Sequence, residues 1–441
     1  MADLFGLLPD RVEAELYQLQ TRDQAARFNA GTLRYCQARR LGGSALRLVR
    51  DGRLGFAATS DPGLVPALVQ AALTAAETGR KVDLAWPSAC TPSLDTDPEL
   101  ESLSTEGLIA LADQWQQLIR RENPDFLVET EATLVEETAS IRNTGGGNGS
   151  SRRTRLALSC TAELVAGQDI LNVYGSVSVG RLADLDLSGL TRNLFGPLTE
   201  APEVVAAGSG YQSVLFTSKA FASIIKDPLL AAFSGRNVFH HTSPLAGKLG
   251  EHVFSDRLSV TDDATLPLAP SSGSIDDEGV PTMHFPLIEA GVVRAFAHDL
   301  SSAAAAGSAS TGHARRIGRT SGARLSSLPQ PGFSNVVVQP GDMSFEQLVS
   351  CMDHGVIVDQ ISGTPGFNPG GDFSVTIQLG FLVRAGRIVG RIKNTMLSGN
   401  AFAAMANIAA IGRGANWLGG GESGALLVPP MLVDGLKVTE R

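Results

Sequence analysis

Histidine is absent from the first 239 positions of this 441-residue chain, and all seven histidines fall between His240 and His354. An imidazole-based metal centre therefore has nothing to draw on in the amino-terminal half. Cysteine is equally sparse. Cys36, Cys90, Cys160 and Cys351 stand far apart, and no Cys-x-x-Cys occurs, which excludes a zinc knuckle and a paired redox motif. There is no G-x-S-x-G elbow to anchor a serine hydrolase. Gly247-Lys248 runs into Leu249, which lacks the hydroxyl that a phosphate loop places on magnesium. No apolar run approaches the ~18 residues of a membrane span. The amino terminus, Met1-Ala-Asp-Leu-Phe5, has neither the basic region nor the apolar stretch of a secretory signal. A cytoplasmic protein without membrane contact is the expectation.

Basic charge is in deficit as well. Lys and Arg number 36 against 45 Asp and Glu, a net charge of −9 and a pI of about 5.4. Phosphate contacts need clustered Lys and Arg, so direct nucleic-acid binding is not expected. The densest basic stretches, Ser151-Arg-Arg-Thr-Arg155 and His313-Ala-Arg-Arg-Ile-Gly-Arg319, are short and read as solvated surface. What is there is the composition of a folded protein: 43% of residues are hydrophobic and 18% charged.

The pattern is one of many short strands and a few helices. Leu46 to Phe56 reads as a hairpin, with Asp51-Gly52 supplying the two positive-φ positions of a type I′ turn. Helical spacing of Leu64, Leu68, Val69, Ala72, Leu73 and Ala76 predicts a helix capped by Gly79. A second helix is predicted over 105–121 behind an N-cap at Ser104. From Glu129 to Val179 the period becomes two, with Gly145–Ser151 as a flexible connection. Patternless sequence from Pro197 to Gly210 places a domain boundary there. Beyond it, helices are predicted over 218–234, interrupted or kinked at Pro228, then over 344–354 and 400–411. Hairpins are predicted at Ala290-Gly291 and Ala385-Gly386. The expected fold is α+β in two domains. Residues 1–200 form an antiparallel sheet with helices, and residues 210–441 a strand-rich mixed domain.

Candidate chemistry is thin. His240-His241, with His252 and Asp262-Asp263 beyond, contains zinc-ligand types. Adjacent histidines on a strand point to opposite faces, however, and no H-E-x-x-H spacing exists, so these residues read as surface or interface. His284 and His313 carry the same reading. The run Asp276-Asp277-Glu278-Gly279 could take a cation, but acidic residues in a turn cap backbone N–H groups.

Several segments in order along the chain resemble one family. Ser44 to Ser60 followed by an alanine-rich helix is similar to the amino-terminal signature of the TldD/PmbA family. Leu245-Ala-Gly-Lys-Leu-Gly250, Ile275 to Thr282, Leu287 to Val293 and Ser310 to Arg315 are similar to its central signatures. Asn368 to Ser374 and Gly380 to Gly386 resemble its late hairpin, and Leu397-Ser-Gly-Asn400 the segment before its last helix. The resemblance implies two kinds of member. TldD-like proteins carry zinc on an H-E-x-x-x-H helix with a Cys near the carboxyl end. TldE/PmbA-like proteins lack that site and pair with a TldD-like protein, and the two together cleave unfolded or modified peptides. An older label for the family is modulator of DNA gyrase.

Carried over by resemblance, the metal helix lies at Val214 to Ala222. Thr217 and Ala222 then stand in the two His slots and Ser218 in the Glu slot. The Cys slot falls in Trp417 to Ser423, around Gly420, where there is no Cys. A hydroxyl and a methyl cannot replace imidazoles, and zinc hydrolysis needs about three ligands and a base. The resemblance therefore implies no catalytic, cofactor-binding or metal-binding residue in this chain. It implies zinc in a TldD-like partner, and a heterodimer with that partner or a homodimer. An extended peptide would be the substrate. Two other readings stand beside it: an independent metallopeptidase using His240, His241 and His252, and a gyrase-associated binding protein.

Overall fold

The computed structural model describes residues 4–88, 90–91, 93–94, 96–167, 169–318, 324–363, 368–420 and 424–440. Its amino-terminal half is one sheet of unusually long strands: β1 (Glu13–Asn29), β2 (Thr32–Arg50), β3 (Arg53–Thr59), β4 (Cys90–Thr91), β5 (Leu127–Asn143), β6 (Asn148–Ala166) and β7 (Asp169–Val179). The order is β3-β2-β1-β5-β6-β4, with β7 also paired to β6, and all pairs are antiparallel except β4 with β6. Side chains alternate between its faces. On one face, Leu16, Leu46 and Leu48 meet Leu68, Val69 and Ala72 of α1 (Val65–Glu77). Further along the same face, Ala26, Leu134, Leu156 and Leu158 meet Leu108, Ala112 and Trp115. These last three belong to α3 (Thr105–Glu122), which follows the short α2 (Pro98–Glu101) and is capped by Ser104 as expected. The other face carries Glu15, Tyr17, Arg47, Glu137, Arg153 and Arg155, and it looks toward the carboxy-terminal half.

The turn at Asp51 (φ 52°) and Gly52 (φ 72°) is the one its sequence demands. Gly79 does something other than cap α1. Thr78 is the C-cap, and a Cβ on Gly79 would lie 1.9 Å from the carbonyl oxygen of Leu54. The missing side chain lets the end of the helix rest on β3. Gly145–Ser151 is mostly strand, because β6 begins at Asn148 and only a tight turn precedes it. Pro197 lies inside α4 (Leu187–Glu200), which packs Phe195 edge-on against Phe126.

In the carboxy-terminal half, the strand Gly210–Phe216 pairs with Met431–Glu440, which pairs with Thr395–Asn400, then Asp372–Arg384, then His354–Ser362. The last returns to Gly210–Phe216, so the pairings close into a five-strand ring. A second, six-stranded sheet includes Val260–Asp263, His284–Glu289, Asn335–Val338, Asn416–Gly419 and Ala425–Val428. Helix α5 (Ser218–Ala232) lies against both sheets and continues through Pro228. The helices expected over 344–354 and 400–411 are cut short at Ser350 and Ala406. His354, Ile408 and Ile411 pair into sheets instead, a tertiary demand that overrides helical spacing. The hairpins at Ala290-Gly291 and Ala385-Gly386 are present. The result is the expected α+β architecture. The halves share a core in which Phe126 and Val173 join the same cluster as Ile357, Phe381 and Leu432.

Candidate functional site

The acidic loop 276–278 is buried where the two halves meet. Asp276 accepts from the backbone N–H groups of Glu278, Val280 and Ala314, each at 2.9 Å. Asp277 accepts from the N–H of Arg316 at 2.7 Å, and Glu278 from that of Leu300 at 2.7 Å. The loop therefore caps backbone, and it also holds arginines. Arg47 bridges Glu15 (2.7 Å) and Glu278 (2.5 Å), while the other oxygen of Glu15 takes Arg316 at 2.9 Å. Arg324 reaches Asp277 (3.2 Å), Glu137 (2.5 Å) and the Tyr17 hydroxyl (3.0 Å), and Arg153 meets Glu137 at 2.8 Å. Burial alone would raise the Glu137 carboxyl, but Arg153 and Arg324 hold it below its usual range. Asp277 is depressed in the same way, by Arg324 and Arg315 against burial. Burial pushes Glu278 the other way, up to about 7, with Arg47 opposing and Asp299 and Glu15 adding to the rise.

This overturns one expectation. The basic stretch from His313 is buried, not solvated: Arg316 is 0% exposed, and its guanidinium stacks 4.5 Å from the Tyr17 ring. Arg319 lies outside the described residues. In the stretch 151–155, Arg152 is exposed, but Arg153 and Arg155 turn inward. Sequence reasoning missed this network because partners such as Glu15 and Arg316 are 301 positions apart, and no local pattern pairs them.

The histidines do not gather. His313 is buried, with one ring nitrogen 3.2 Å from Asp262 and the other 2.8 Å from the Thr311 carbonyl, between the rings of Phe285 and Phe333. It is a core group and not the surface or interface residue expected. His284 is exposed and meets Asp263 at 2.9 Å. His240 and His241 are exposed but lie at a helix end, not on a strand: His240 is the C-cap, and His241 has φ 54°. Exposed His252 stands 3.5 Å from Asp256. Among the described residues, no three His, Cys, Asp or Glu side chains cluster to hold a metal.

The three slots named by resemblance sit on facing elements. Thr217 is the N-cap of α5. Its hydroxyl accepts from the N–H of Ala220 at 3.4 Å and donates to the carbonyl of Asp359 at 3.3 Å. Ser218 opens the helix, and Ala222 packs on the core. Gly420 follows the edge strand Asn416–Gly419 with φ 129°, and a Cβ there would lie 2.9 Å from Arg155 and 3.1 Å from the Ser178 hydroxyl. Residues 421–423 of the Cys slot lie outside the described residues. Among the described residues, this region includes cationic side chains. Lys219 pairs with Asp359 at 2.7 Å and donates to the Tyr174 carbonyl at 3.0 Å. Two turns on, the Lys226 amine lies 3.8 Å from where a Cβ on Gly419 would be. Burial lowers the pKa of Lys226 and of Arg155.

Comparison with known proteins agrees with this architecture. Residues 209–440 match the PmbA/TldA metallopeptidase C-terminal domain. A metalloprotease TldD homolog of Buchnera aphidicola is 28% identical over 289 residues, 65% of this chain and 54% of that protein, so the chain spans about half its length. A metalloprotease of Methanothermobacter thermautotrophicus is 24% identical over 418 residues, 92% of this chain and 89% of that one. The crystal structure of TldE from Thermococcus kodakarensis has the same fold, with a TM-score of 0.88 at 23% identity, covering 99% of this chain and 98% of that one. The family match takes in more than half of the residues, and on that ground the chain belongs to the TldD/PmbA family.

Proposed function

We propose that this chain is a non-catalytic, TldE/PmbA-like subunit of a two-component metallopeptidase. It acts in the cytoplasm on unfolded or modified peptides beside a zinc-bearing TldD-like partner. One observation supports this reading: the ligand slots assigned by resemblance hold groups that do not serve as zinc ligands and are committed elsewhere. The Thr217 hydroxyl caps a helix, Ala222 offers a methyl and Gly420 offers no side chain. Lys219, Lys226 and Arg155 lie around them, so a dication entering this region would meet positive charge. Zinc hydrolysis needs about three ligands and an activated water, and on this reading both come from the partner.

The chain's own part is to hold substrate and partner. β3 covers only Ser44–Arg50 of β2. Among the described residues, the edge from Thr32 to Gly43 is unpaired on that side and open to an extended peptide, whose backbone would complete the ladder. The test is zinc content after dialysis of the purified chain. The expected result is less than about a tenth of an equivalent, with peptide hydrolysis only after mixing with a TldD-like protein. A full equivalent held through dialysis, or hydrolysis by the chain as its own homodimer, overturns the reading.

A further inference from the structure

From Thr32 to Gly43, one side of β2 has no strand beside it among the described residues, since its pairing with β3 stops at Ser44. The charge along this stretch has one sign. It holds Arg34, Arg39 and Arg40 and no Asp or Glu, in a chain whose net charge is −9. All three arginines are exposed, and none forms an ion pair among the described residues. The ladder to β1 does not offset them. Arg39 lies opposite Asp23, the one acid that β1 brings to this stretch. Arg40 lies opposite Arg22, whose own partner is Glu136 of β5 at 3.0 Å. Like charges directly opposite one another destabilise a sheet. Arg34 has no opposite residue. The register passes from Arg27–Tyr35 to Phe28–Leu33, which makes Arg34 the extra residue of a bulge. The acids further along are taken: Glu129 and Glu131 hold Arg27, and Glu131 also accepts from the Tyr35 hydroxyl at 2.8 Å. Asp3, Asp95 and Glu422 lie outside the described residues, and described residues next to them are remote from this stretch. Leu4 clusters with Leu46 and Leu48 at the covered end of β2. Thr96, through Glu101, lies by Arg152 of β6, and Gly420 lies by Arg155 of β6, three strands from β2.

We propose that the free edge of β2 selects extended peptides that carry acidic side chains, with Arg34, Arg39 and Arg40 as their partners. This rests on the peptide-holding role given to that edge above and names the class of peptide. An added strand satisfies the backbone groups of the edge and sets its side chains beside those of β2. A second copy pairing through the same stretch would bring arginines to arginines with no acid on either strand, and edge charges of one sign discourage such self-pairing. Each exposed ion pair alone contributes little, so the preference comes from three of them along one strand.

The experiment is fluorescence anisotropy of the full-length chain with rhodamine-labelled, end-capped decapeptides that alternate Thr with Glu, Gln or Lys. The Glu peptide is expected to bind at least about tenfold more tightly than the Gln peptide, and more weakly as salt rises. The Lys peptide should bind more weakly than either. A peptide alternating Pro and Glu keeps the charge but is a poor ladder strand, and it should lose most of the affinity. Combined Arg34→Gln, Arg39→Gln and Arg40→Gln should remove the preference for Glu with circular dichroism unchanged, and the three changes to Lys should retain it. Equal binding of the Glu and Gln peptides, no binding of either, a preference that survives the three Gln changes, or equal binding of the Pro-Glu peptide overturns the proposal. So does an affinity that weakens as protein concentration rises while a dimer forms, since a second copy would then occupy the edge. Zinc content of the same preparation is read separately: a full equivalent sinks the non-catalytic reading and leaves the acidic preference standing.

Discussion

Arg153 and Arg155 stand two residues apart on β6 and point to the same face, yet their surroundings are opposite. Arg153 meets Glu137 at 2.8 Å, and through it joins Arg324, Asp277 and Tyr17 in a buried network. Arg155 meets a single hydroxyl, and among the described residues no carboxylate forms an ion pair with it within 4 Å; Glu137 and Asp23 act on it only from further away. The boundary between a charge that holds the two halves together and a charge left over therefore runs along one strand. On the network side, Arg47, Arg153, Arg316 and Arg324 are each matched by an acid brought from the other half or from a neighbouring strand. On the α5 side, among the described residues, Lys219 pairs with Asp359 while Lys226 and Arg155 form no ion pair within 4 Å. A metal at the slots assigned by resemblance would need ligands, and the described charged side chains nearest them, Lys219, Lys226 and Arg155, are cations.

Glu15→Gln tests the network side most severely. Both Glu15 oxygens are buried and each holds an arginine, so the amide leaves Arg47 and Arg316 with one counter-charge fewer in a dry interface. Removing one partner of a buried ion pair costs about 3–5 kcal/mol. Urea unfolding should show a loss of that size. A change below about 1 kcal/mol would mean that water reaches the interface and that the two regions do not differ in kind.

A smaller effect comes from pH. Glu278 is pushed up to about 7, first by burial, from an ordinary value of 4.5. Asp276 is raised too, by burial and by Glu278. The folded state then keeps protons that the unfolded state has already released. This contribution is complete below about pH 4.5 and is lost as pH rises toward 7. The slope is at most about 1.4 kcal/mol per pH unit for each group. Unfolding free energies measured across that window should fall with pH, and Glu278→Gln should flatten the fall. A wild-type curve that rises instead would place an ionised Glu278 in the folded interface at all these pH values. Glu137 and Asp277 are shifted down and titrate below this window, so they do not compete with it.

The strands and their turns were legible because they obey local rules. Asp51-Gly52, Ala290-Gly291 and Ala385-Gly386 turn where positive φ is tolerated, and Ser104 caps where a hydroxyl can accept. The helix ends at Ser350 and Ala406 were not legible, since strand pairing with distant segments decides them. The interface was hidden for the same reason. Arg47 sits between Leu46 and Leu48 in an alternating strand, and alternation predicts that its face meets water. Only the arrival of Glu278, 231 positions later, makes that face an interior. The slots on α5 rest on resemblance alone. Thr217→Ala asks what the first slot does now. If its hydroxyl only caps the helix, the loss is about 1 kcal/mol, with no change in metal content.

The smallest expected effect is the one that separates the two regions most cleanly. Lys226→Met removes a positive charge, as Arg153→Met does, and both substitutions keep an aliphatic stem of similar length. Arg153→Met strands Glu137 beside a single remaining arginine and should destabilise the fold by about 1–3 kcal/mol. Lys226 is different, because burial already lowers its pKa below the usual 10.5 and no ion pair among the described residues compensates. A lysine depressed in the folded state opposes folding at neutral pH, where the unfolded chain carries the charge freely in water, and the penalty fades only as pH rises toward 10.5. Replacing it with an uncharged stem should therefore leave stability unchanged or raise it by up to about 1 kcal/mol. Paired urea titrations of the two variants at neutral pH measure the contrast directly. Equal losses would show that Lys226 has a counter-charge in solution and that its charge, like that of Arg153, serves the fold.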